Sequence, residues 1–135
     1  MPIVERGVQE PSQELDRLAR EVIGAAIEVH RVLGPGLLES VYEEALCVEL
    51  TLRGLPFVRQ PAVDLGYKGQ PVGKGRLDLL VGDGLVVELK AVEALSEVHK
   101  AQVLSYLKTT GHGLALLINF NVPVLRNGIK RIVRT

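Results

Sequence analysis

The stretch that decides the fold lies between residues 76 and 90 and has the sequence RLDLLVGDGLVVELK. Two runs rich in Leu and Val flank Gly82-Asp83-Gly84, and this pattern predicts a β-hairpin. A two-residue loop would place position 78 opposite position 89, whereas a three-residue loop with Gly84 in the left-handed conformation places it opposite position 88. Only the longer loop gathers the apolar side chains on one face, because side chains alternate with a period of two. That face holds Leu77, Leu79, Val81, Leu85, Val87 and Leu89.

The other face of the predicted hairpin carries charge. Asp78, Glu88 and Lys90 fall on it together with Leu80 and Val86, so we expect the charges to be partly covered. Two carboxylates held close in a half-buried place repel each other, and a cation between them relieves the repulsion. Oxygen ligands favour Mg²⁺ or Mn²⁺ over zinc or copper. The alternative is an ordinary solvated face with a cross-strand ion pair.

These charged residues resemble the active-site motif of the PD-(D/E)XK nuclease superfamily. In that superfamily an Asp and a Glu-x-Lys on the neighbouring strand bind Mg²⁺ and activate water for phosphodiester cleavage. The segment 36–42, GLLESVY, resembles the GxxExxY signature of a family of small prokaryotic proteins placed in the superfamily. The similarity extends from about Leu15 to Arg134 and includes the segments 102–107, 116–120 and 127–131.

The resemblance implies a role for each charged residue. Asp78 and Glu88 would hold the metal, and Glu39 on the second predicted helix would be a third ligand, bound directly or through water. Lys90 would orient and deprotonate the attacking water, or stabilise it electrostatically. The backbone carbonyl of Val87 or Leu89 is a further candidate ligand. By analogy, the products would carry a 5′-phosphate and a 3′-hydroxyl.

Four more residues are predicted to bind substrate or to line the site. On the third predicted helix, His99, Gln102 and Tyr106 form a stripe at i, i+3 and i+7, and the Gln–Tyr pair resembles a motif that lines the site in several nucleases of the superfamily. Tyr42 shares a helix face with Glu39 because the two are three residues apart. The alternative for the third helix is a polar flank without a role in the site.

The composition predicts one domain over residues 1–135, with residues 1–11 as a flexible or loosely packed segment. The chain is 47% apolar, enough for a core at this length. It contains no run of 18 uncharged apolar residues and no apolar signal segment at its N-terminus. We therefore expect a cytoplasmic protein without membrane contact, and the lone Cys47 fits a reducing compartment.

The charges are unevenly distributed although the formal net charge is zero. All 16 acidic residues precede residue 98, whereas the last part of the chain holds basic residues alone. These basic residues predict a phosphate-contacting surface, or else a segment that packs against the acidic part of the same domain. They are Lys100, Lys108, Arg126, Lys130, Arg131 and Arg134.

The order of elements is predicted as ααβββαβ(β), a restriction-endonuclease-like α/β fold with a mixed sheet flanked by helices. Ser12 caps a first helix that Gly34 ends, and a second helix runs from about Leu37 to Gly54. Strands follow at 57–65 and in the hairpin, then a helix from Ser96 to Thr110 and strands at 114–120 and 129–133. The predicted buried stripe of the second helix is Leu38, Val41, Tyr42, Ala45, Leu46 and Leu50. On the third helix, Val98, Ala101 and Leu104 are predicted to face the sheet.

The functional hypothesis is a Mg²⁺-dependent nuclease that hydrolyses phosphodiester bonds in DNA or RNA. Two alternatives come from other classes of protein. One is a catalytically silent nuclease-fold module that binds nucleic acid or a protein partner. The other is a regulatory homo-oligomer, such as a homodimer, in which the polar face of the hairpin is an interface.

Overall fold

The structure, a computed structural model, describes residues 11–134. The prediction for the segment 1–11 therefore falls almost entirely outside the described residues. Among the helices that the structure describes, none is long and apolar enough to cross a membrane. The elements in chain order are α1 (Gln13–Leu33), α2 (Glu39–Leu52), β1 (Phe57–Arg59), β2 (Ala62–Tyr67), β3 (Gln70–Arg76), β4 (Leu79–Val81), β5 (Leu85–Lys90), α3 (Glu97–Thr110), β6 (Leu114–Asn119), a 3-10 turn (Leu125–Gly128) and β7 (Ile129–Val133).

The first two helices form a hairpin whose ends follow from local chemistry. The Ser12 side chain accepts a hydrogen bond from the Leu15 N–H, and α1 stops at Gly34, as predicted. The α2 helix begins at Glu39 because Leu38 is still extended, with φ −71° and ψ 148°. The Tyr42 hydroxyl donates to the Gly34 carbonyl at 2.6 Å, so it fastens the turn between the two helices.

A five-stranded mixed sheet forms the centre of the protein, in the order β1-β4-β5-β6-β7. Strands β5 and β6 are parallel and are connected through α3, while the other neighbours are antiparallel. The α1–α2 hairpin packs on one face of the sheet and α3 on the other. Every residue of β6 is buried, so the prediction of a central strand from its apolar run is confirmed.

The β4–β5 hairpin has the predicted register. Leu80 pairs with Val86 and Leu79 with Val87, which requires the three-residue loop. The left-handed residue is Gly82, with φ +57°, so the prediction of Gly84 for that conformation is wrong. A Cβ atom at Gly82 would lie 2.7 Å from a methyl carbon of Leu18, so the Leu18 side chain on α1 would have to move to admit it.

The apolar face of the hairpin begins at Leu79 and not at Leu77, as was predicted. Leu77 is buried with Val86 and Val103 on the α3 side of the sheet, not with Leu79 on the α1–α2 side. Regular strand structure is interrupted between β3 and β4, so the alternation of side chains does not continue through position 78. Asp78 therefore stands at an irregular point of the chain, where side-chain direction can depart from the strand pattern.

The predicted strand 57–65 is divided into two strands that belong to different sheets. β1 pairs with β4, and Gln60, with φ +55°, then breaks the strand. β2 pairs with β3 in a separate two-stranded ribbon. β3 was not predicted because Gln70–Arg76 contains two glycines, a proline and few apolar residues. The observed order is therefore ααβββββαββ.

The buried faces of α2 and α3 differ from the predicted ones. Leu38 is 73% exposed and Val41 is also exposed, so the predicted stripe of α2 was too wide. α3 faces the sheet with Val103 and Leu107, whereas Val98 is exposed. Ala101 is exposed as well and Leu104 is half-buried, so the predicted sheet-facing set is wrong. The reason is that α3 packs on both β6 and β2, which turns a different side of the helix inward.

Candidate active site

Asp78 and Glu88 are joined through the backbone as well as through space. The Asp78 N–H donates a hydrogen bond of 2.9 Å to Glu88 Oε1, and the Leu89 N–H donates one of 2.7 Å to Asp78 Oδ2. Each carboxylate is thus held by a main-chain donor of the opposite segment. Glu88 is only 4% exposed and Asp78 is half-buried.

Burial dominates the electrostatics of this pair. The pKa of the Glu88 carboxyl is raised to about 8: burial is the largest cause and the charge of Asp78 adds to the rise, while the hydrogen bond from the Asp78 N–H and the Lys90 charge oppose it. Burial also raises the pKa of Asp78, against the hydrogen bond from the Leu89 N–H. Without a cation, the pair therefore retains a proton near neutral pH.

Glu39 lies at the start of α2, within electrostatic range of the pair. Partial burial raises the pKa of Glu39, the charge of Asp78 adds to that rise, and Lys90 opposes it. Over residues 11–134, however, no group of three Asp, Glu, His or Cys side chains is placed as a metal-binding cluster. The structure thus places Asp78 and Glu88 together as a pair, and Glu39 near them without closing a three-ligand shell.

A buried carboxylate that the sequence analysis did not select links α2 to the pair. Glu43 Oε2 accepts hydrogen bonds from Arg59 Nε at 2.8 Å and from Gln60 Nε2 at 2.9 Å. The backbone N–H of Gln60 in turn donates to the Asp78 carbonyl at 2.8 Å. The sequence showed only that Glu43 lies one helical turn after Glu39. Its partners come from the break between β1 and β2, which was not predicted.

Asn119 is a second residue that the sequence analysis missed. It lies opposite Lys90 in the parallel pairing of β5 and β6 and is 1% exposed. Its side chain accepts from the Val92 N–H at 3.1 Å and donates to the Val92 carbonyl at 2.9 Å. Asn119 therefore fixes the chain where it leaves the strand that carries Lys90. The sequence offered one signal for Asn119, a single polar side chain near the end of an apolar run.

Comparison with known proteins identifies the family. A family model described as PD-(D/E)XK nuclease superfamily matches residues 16–132. The chain belongs to the PD-(D/E)XK nuclease superfamily. The narrower resemblance to the GxxExxY family stays a prediction. No curated protein has a sequence that matches this one.

Solved structures with low sequence identity to this chain share its fold. The crystal structure of an alkaline exonuclease, LHK-Exo, from Laribacter hongkongensis has a TM-score of 0.51 and 13% identity, covering 94% of this chain and 72% of that one. The same exonuclease in complex with dAMP has a TM-score of 0.52, with the same identity and coverage. The crystal structure of SSO0001 has a TM-score of 0.50 and 18% identity, covering 90% of this chain and 61% of that one. These similarities confirm the predicted restriction-endonuclease-like fold.

The carboxylate pair fits the divalent metal ions that PD-(D/E)XK nucleases generally use. Each carboxylate has one oxygen in a backbone hydrogen bond, which leaves its other oxygen for an ion. Burial is the main cause of the raised pKa values of both groups, so each carboxylate is costly to hold ionised in this site. A divalent cation offsets that cost, and oxygen donors suit a hard ion.

Tyr42 and His99, two residues predicted to line the site, make other contacts in the structure. Tyr42 is fully buried, with its ring stacked on Phe120 at a centroid distance of 4.6 Å, so the prediction that it lines the site is wrong. His99 lies in the first turn of α3, where its Nδ1 accepts a hydrogen bond from the Ser96 N–H at 3.0 Å. That imidazole completes a capping box, which gives it a structural role.

The predicted Gln–Tyr pair lies on α3, on the side of the sheet that Leu77 and Val86 share. Tyr106 is half-buried and covers Gly75 of β3, where an added Cβ would lie 2.8 Å from the tyrosine hydroxyl. Gln102 is exposed one turn earlier. Tyr106 thus braces the segment that leads into Asp78, while a substrate contact of Gln102 stays a prediction.

The basic residues after residue 97 are divided between both faces of the sheet. Lys130 pairs with Leu117 and points to the α3 side, whereas Arg131 pairs with Leu116 and points to the α1 side. Arg131 forms an ion pair with Asp16 of α1. This contact supports the alternative in which part of the basic segment packs against the acidic part of the chain, not a single phosphate-contacting surface.

Proposed function

We propose that this chain is a divalent-metal-dependent nuclease that hydrolyses phosphodiester bonds in DNA or RNA, with Mg²⁺ or Mn²⁺ as its ion. The observation that carries the proposal is the buried Asp78–Glu88 pair with Lys90 on the same side of β5. Membership in the PD-(D/E)XK nuclease superfamily supports it. The fold shared with an alkaline exonuclease is consistent with it.

The carboxylates act as the holders of the ion. Asp78 is oriented by the Leu89 N–H and Glu88 by the Asp78 N–H, so neither side chain has to be ordered when the ion binds. A bound divalent ion would lower the pKa of a water molecule and offset charge on the phosphate oxygens. Glu39, on the first turn of α2, would add a third oxygen directly or through water.

Lys90 supplies the positive charge that the protein, as distinct from the ion, brings to the site. It follows Glu88 by two residues on β5, so both side chains leave the strand on the same side. Its charge lowers the pKa values of Glu88, Asp78 and Glu39, so the ammonium lies within electrostatic range of all three carboxylates. From there it orients the attacking water and stabilises the charge that develops on it.

One observation favours a second candidate function, a nuclease-fold module that binds nucleic acid without cleaving it. Over the described range 11–134, the carboxylates do not form a three-ligand metal cluster. A chain that cannot bring Glu39 to the ion would hold the metal weakly or not at all. Metal binding measured by calorimetry separates the two functions, because the silent module would bind neither Mg²⁺ nor Mn²⁺.

The test of the proposed function is cleavage by the purified chain. Single-stranded, double-stranded, flapped and branched DNA and RNA are incubated with Mg²⁺ or Mn²⁺, and we expect at least one to be cut. EDTA and Lys90→Ala should each abolish the cut, since losing a charge-stabilising group at the reacting centre costs about a hundredfold or more in rate.

The lysine variant is the control against contaminating nucleases, which also need metal. Arg20→Ala removes an exposed cation from α1, on the opposite side of the sheet from α3, and should leave the rate unchanged. A Lys90→Ala protein as active as the wild type would show that the cleavage comes from elsewhere. An inert wild type that also binds no metal would favour the silent module.

A further inference from the structure

The β2–β3 ribbon stands out from the rest of the fold. Every residue from 66 to 74 is exposed, although the segment is regular antiparallel structure apart from its turn and a bulge. This part of the hairpin gains little stability from a core, and two isolated strands are only marginally stable in water. It is therefore an exposed projection on which a partner can bind.

The base of this ribbon is packed, unlike its tip. Val63 is buried in a cluster with Val103 and Leu107 of α3. Gly75 lies against the ring of Tyr106, so a Cβ at position 75 would require that ring to move. The ribbon is therefore anchored at one end on α3 and free at the other.

The anchored end leads straight into the carboxylate pair. β3 ends at Arg76, two residues before Asp78. The Leu77 N–H donates to the Pro61 carbonyl at 3.1 Å, and the Gln60 N–H donates to the Asp78 carbonyl at 2.8 Å. Both strands of the ribbon are thus tied to the chain at the active site, and a molecule held by the ribbon lies beside that site.

The charge of the ribbon is opposite to that of the site. Between residues 65 and 77 the chain has Lys68, Lys74 and Arg76 and no acidic residue. Lys74 has one ion-pair partner, Asp64, at 3.5 Å, and the two side chains are 75% and 88% exposed, so water screens the pair and leaves the lysine available. By cross-strand pairing with Asp64 and Ala62, Lys74 and Arg76 lie on the solvent side, away from Val63 and Gly75.

A polyanion needs such a surface here because the site itself repels it. Asp78, Glu88 and Glu39 outnumber Lys90, and even a bound divalent ion leaves little excess positive charge for the phosphates on either side of the one that is cut. Cations beside the site attract those phosphates and fix their position.

We propose that the β2–β3 ribbon is an arm that binds duplex DNA next to the active site. Lys74 and Arg76 contact backbone phosphates that flank the scissile one, and Lys68 at the tip contacts a phosphate farther away. The substrate class follows from shape: a two-stranded ribbon fits the major groove of B-form DNA, whereas the major groove of duplex RNA is too narrow. This inference rests on the proposed function and adds a substrate class to it.

The edge of the ribbon argues against a protein strand as its partner. Pro71 lacks an N–H, and Lys74 lies on the same strand, and both features discourage pairing with another β-strand. The three exposed glycines at 66, 69 and 73 let a phosphate backbone approach the main chain closely. These features suit a nucleic acid more than a second copy of the chain.

The test compares the salt dependence of DNA binding between charge variants. Binding of a fluorescent duplex DNA is measured in Mg²⁺ with Lys90→Ala as the parent chain, so that cleavage does not interfere. We expect Lys74→Gln/Arg76→Gln to weaken binding and to reduce the slope of log K against log salt by about 0.9 for each phosphate that the variant no longer binds, hence by about 1.8. In the chain that retains Lys90, the double substitution Lys74→Gln/Arg76→Gln should raise KM for duplex DNA and leave kcat unchanged.

The control matches the change in charge. Arg17→Gln/Arg20→Gln removes two exposed cations from α1, on the other face of the sheet, and should leave the slope unaltered. Lys74→Arg/Arg76→Lys should restore the slope, which separates binding of phosphates from damage to the fold. Melting temperatures of all variants are compared, and exposed substitutions should not shift them.

The outcomes separate this inference from the proposed function. If the ribbon and α1 pairs behave alike while the wild type still cleaves, the arm is wrong and the nuclease stands. Binding of duplex RNA or single strands with the same slope and affinity as duplex DNA overturns the groove-binding arm. A wild type that binds duplex DNA through the ribbon but never cuts it supports the arm and refutes the nuclease. A wild type that neither binds nor cuts refutes both.

Discussion

The Glu88 carboxylate accepts a hydrogen bond of 2.9 Å from the backbone N–H of Asp78, while the Asp78 carboxylate accepts one from the residue after Glu88. The two acids that repel each other are therefore also the acceptors that fasten two segments of chain. A substitution that removes charge and one that removes the acceptor should have opposite effects on stability.

Asp78→Asn is expected to raise the melting temperature of the metal-free protein. The amide oxygen keeps the acceptor for the Leu89 N–H, and the second buried acid that raises the pKa of Glu88 is removed. Asp78→Ala is expected to lower the melting temperature, because it leaves a buried N–H without its acceptor. Thermal unfolding in EDTA measures both. If Asp78→Asn costs more than about 1 kcal/mol, the carboxylate serves mainly as a structural hydrogen-bond acceptor.

The stability of the metal-free protein should decrease as the pH rises from about 4.5 to about 8. The pKa of Glu88 is raised from an ordinary 4.5 to about 8, so between these values the folded state binds a proton that the unfolded state has released. The stabilisation from protonated Glu88 is complete below pH 4.5 and is lost as the pH rises through the folded pKa. Asp78 shifts in the same direction. Urea unfolding across this pH range should show the decrease in the wild type and a flatter profile in Glu88→Gln; equal profiles would contradict it.

Mg²⁺ should stabilise the wild type and have a smaller effect on Glu88→Gln. An ion that binds only the folded state adds about 2.7 kcal/mol at a concentration of 100 times its Kd. The stabilisation should grow between neutral and alkaline pH, because the ion displaces the proton that the pair otherwise holds. Melting curves with a series of MgCl₂ concentrations measure this. The control is Glu21→Gln on α1, which changes an exposed carboxylate and should respond to Mg²⁺ like the wild type.

Gln60 should tolerate glycine better than alanine. Its φ of +55° is unfavourable for any residue with a Cβ, so Gln60→Ala keeps the strain and loses the hydrogen bond to Glu43, whereas Gln60→Gly loses only the bond. We expect the glycine variant to be more stable by about 1 kcal/mol. Denaturant unfolding measures the difference. A more stable alanine variant would mean that this backbone conformation is not maintained in solution.

Local signals were sufficient for a large part of the fold. Ser12 and Ser96 cap their helices because a hydroxyl accepts from the free N–H groups of a first turn. The register of the β4–β5 hairpin follows from alternation, since the other register would place Asp78 and Glu88 on opposite faces and mix apolar with charged side chains. These features depend on residues close in the chain, which is why the sequence sufficed to predict them.

The sequence by itself determined the caps, the hairpin register and the pairing of Asp78 with Glu88 on one end of β5. Tertiary structure alone decided the partners that are distant in the chain: the ribbon that draws β2 away from the sheet, the buried faces of α2 and α3, and the link from Glu43 through Gln60 to Asp78. The physical reason is that periodicity records whether a side chain is covered, not what covers it. Tyr42 shows the difference, because it shares a helical turn with Glu39 yet packs on Phe120 in the core.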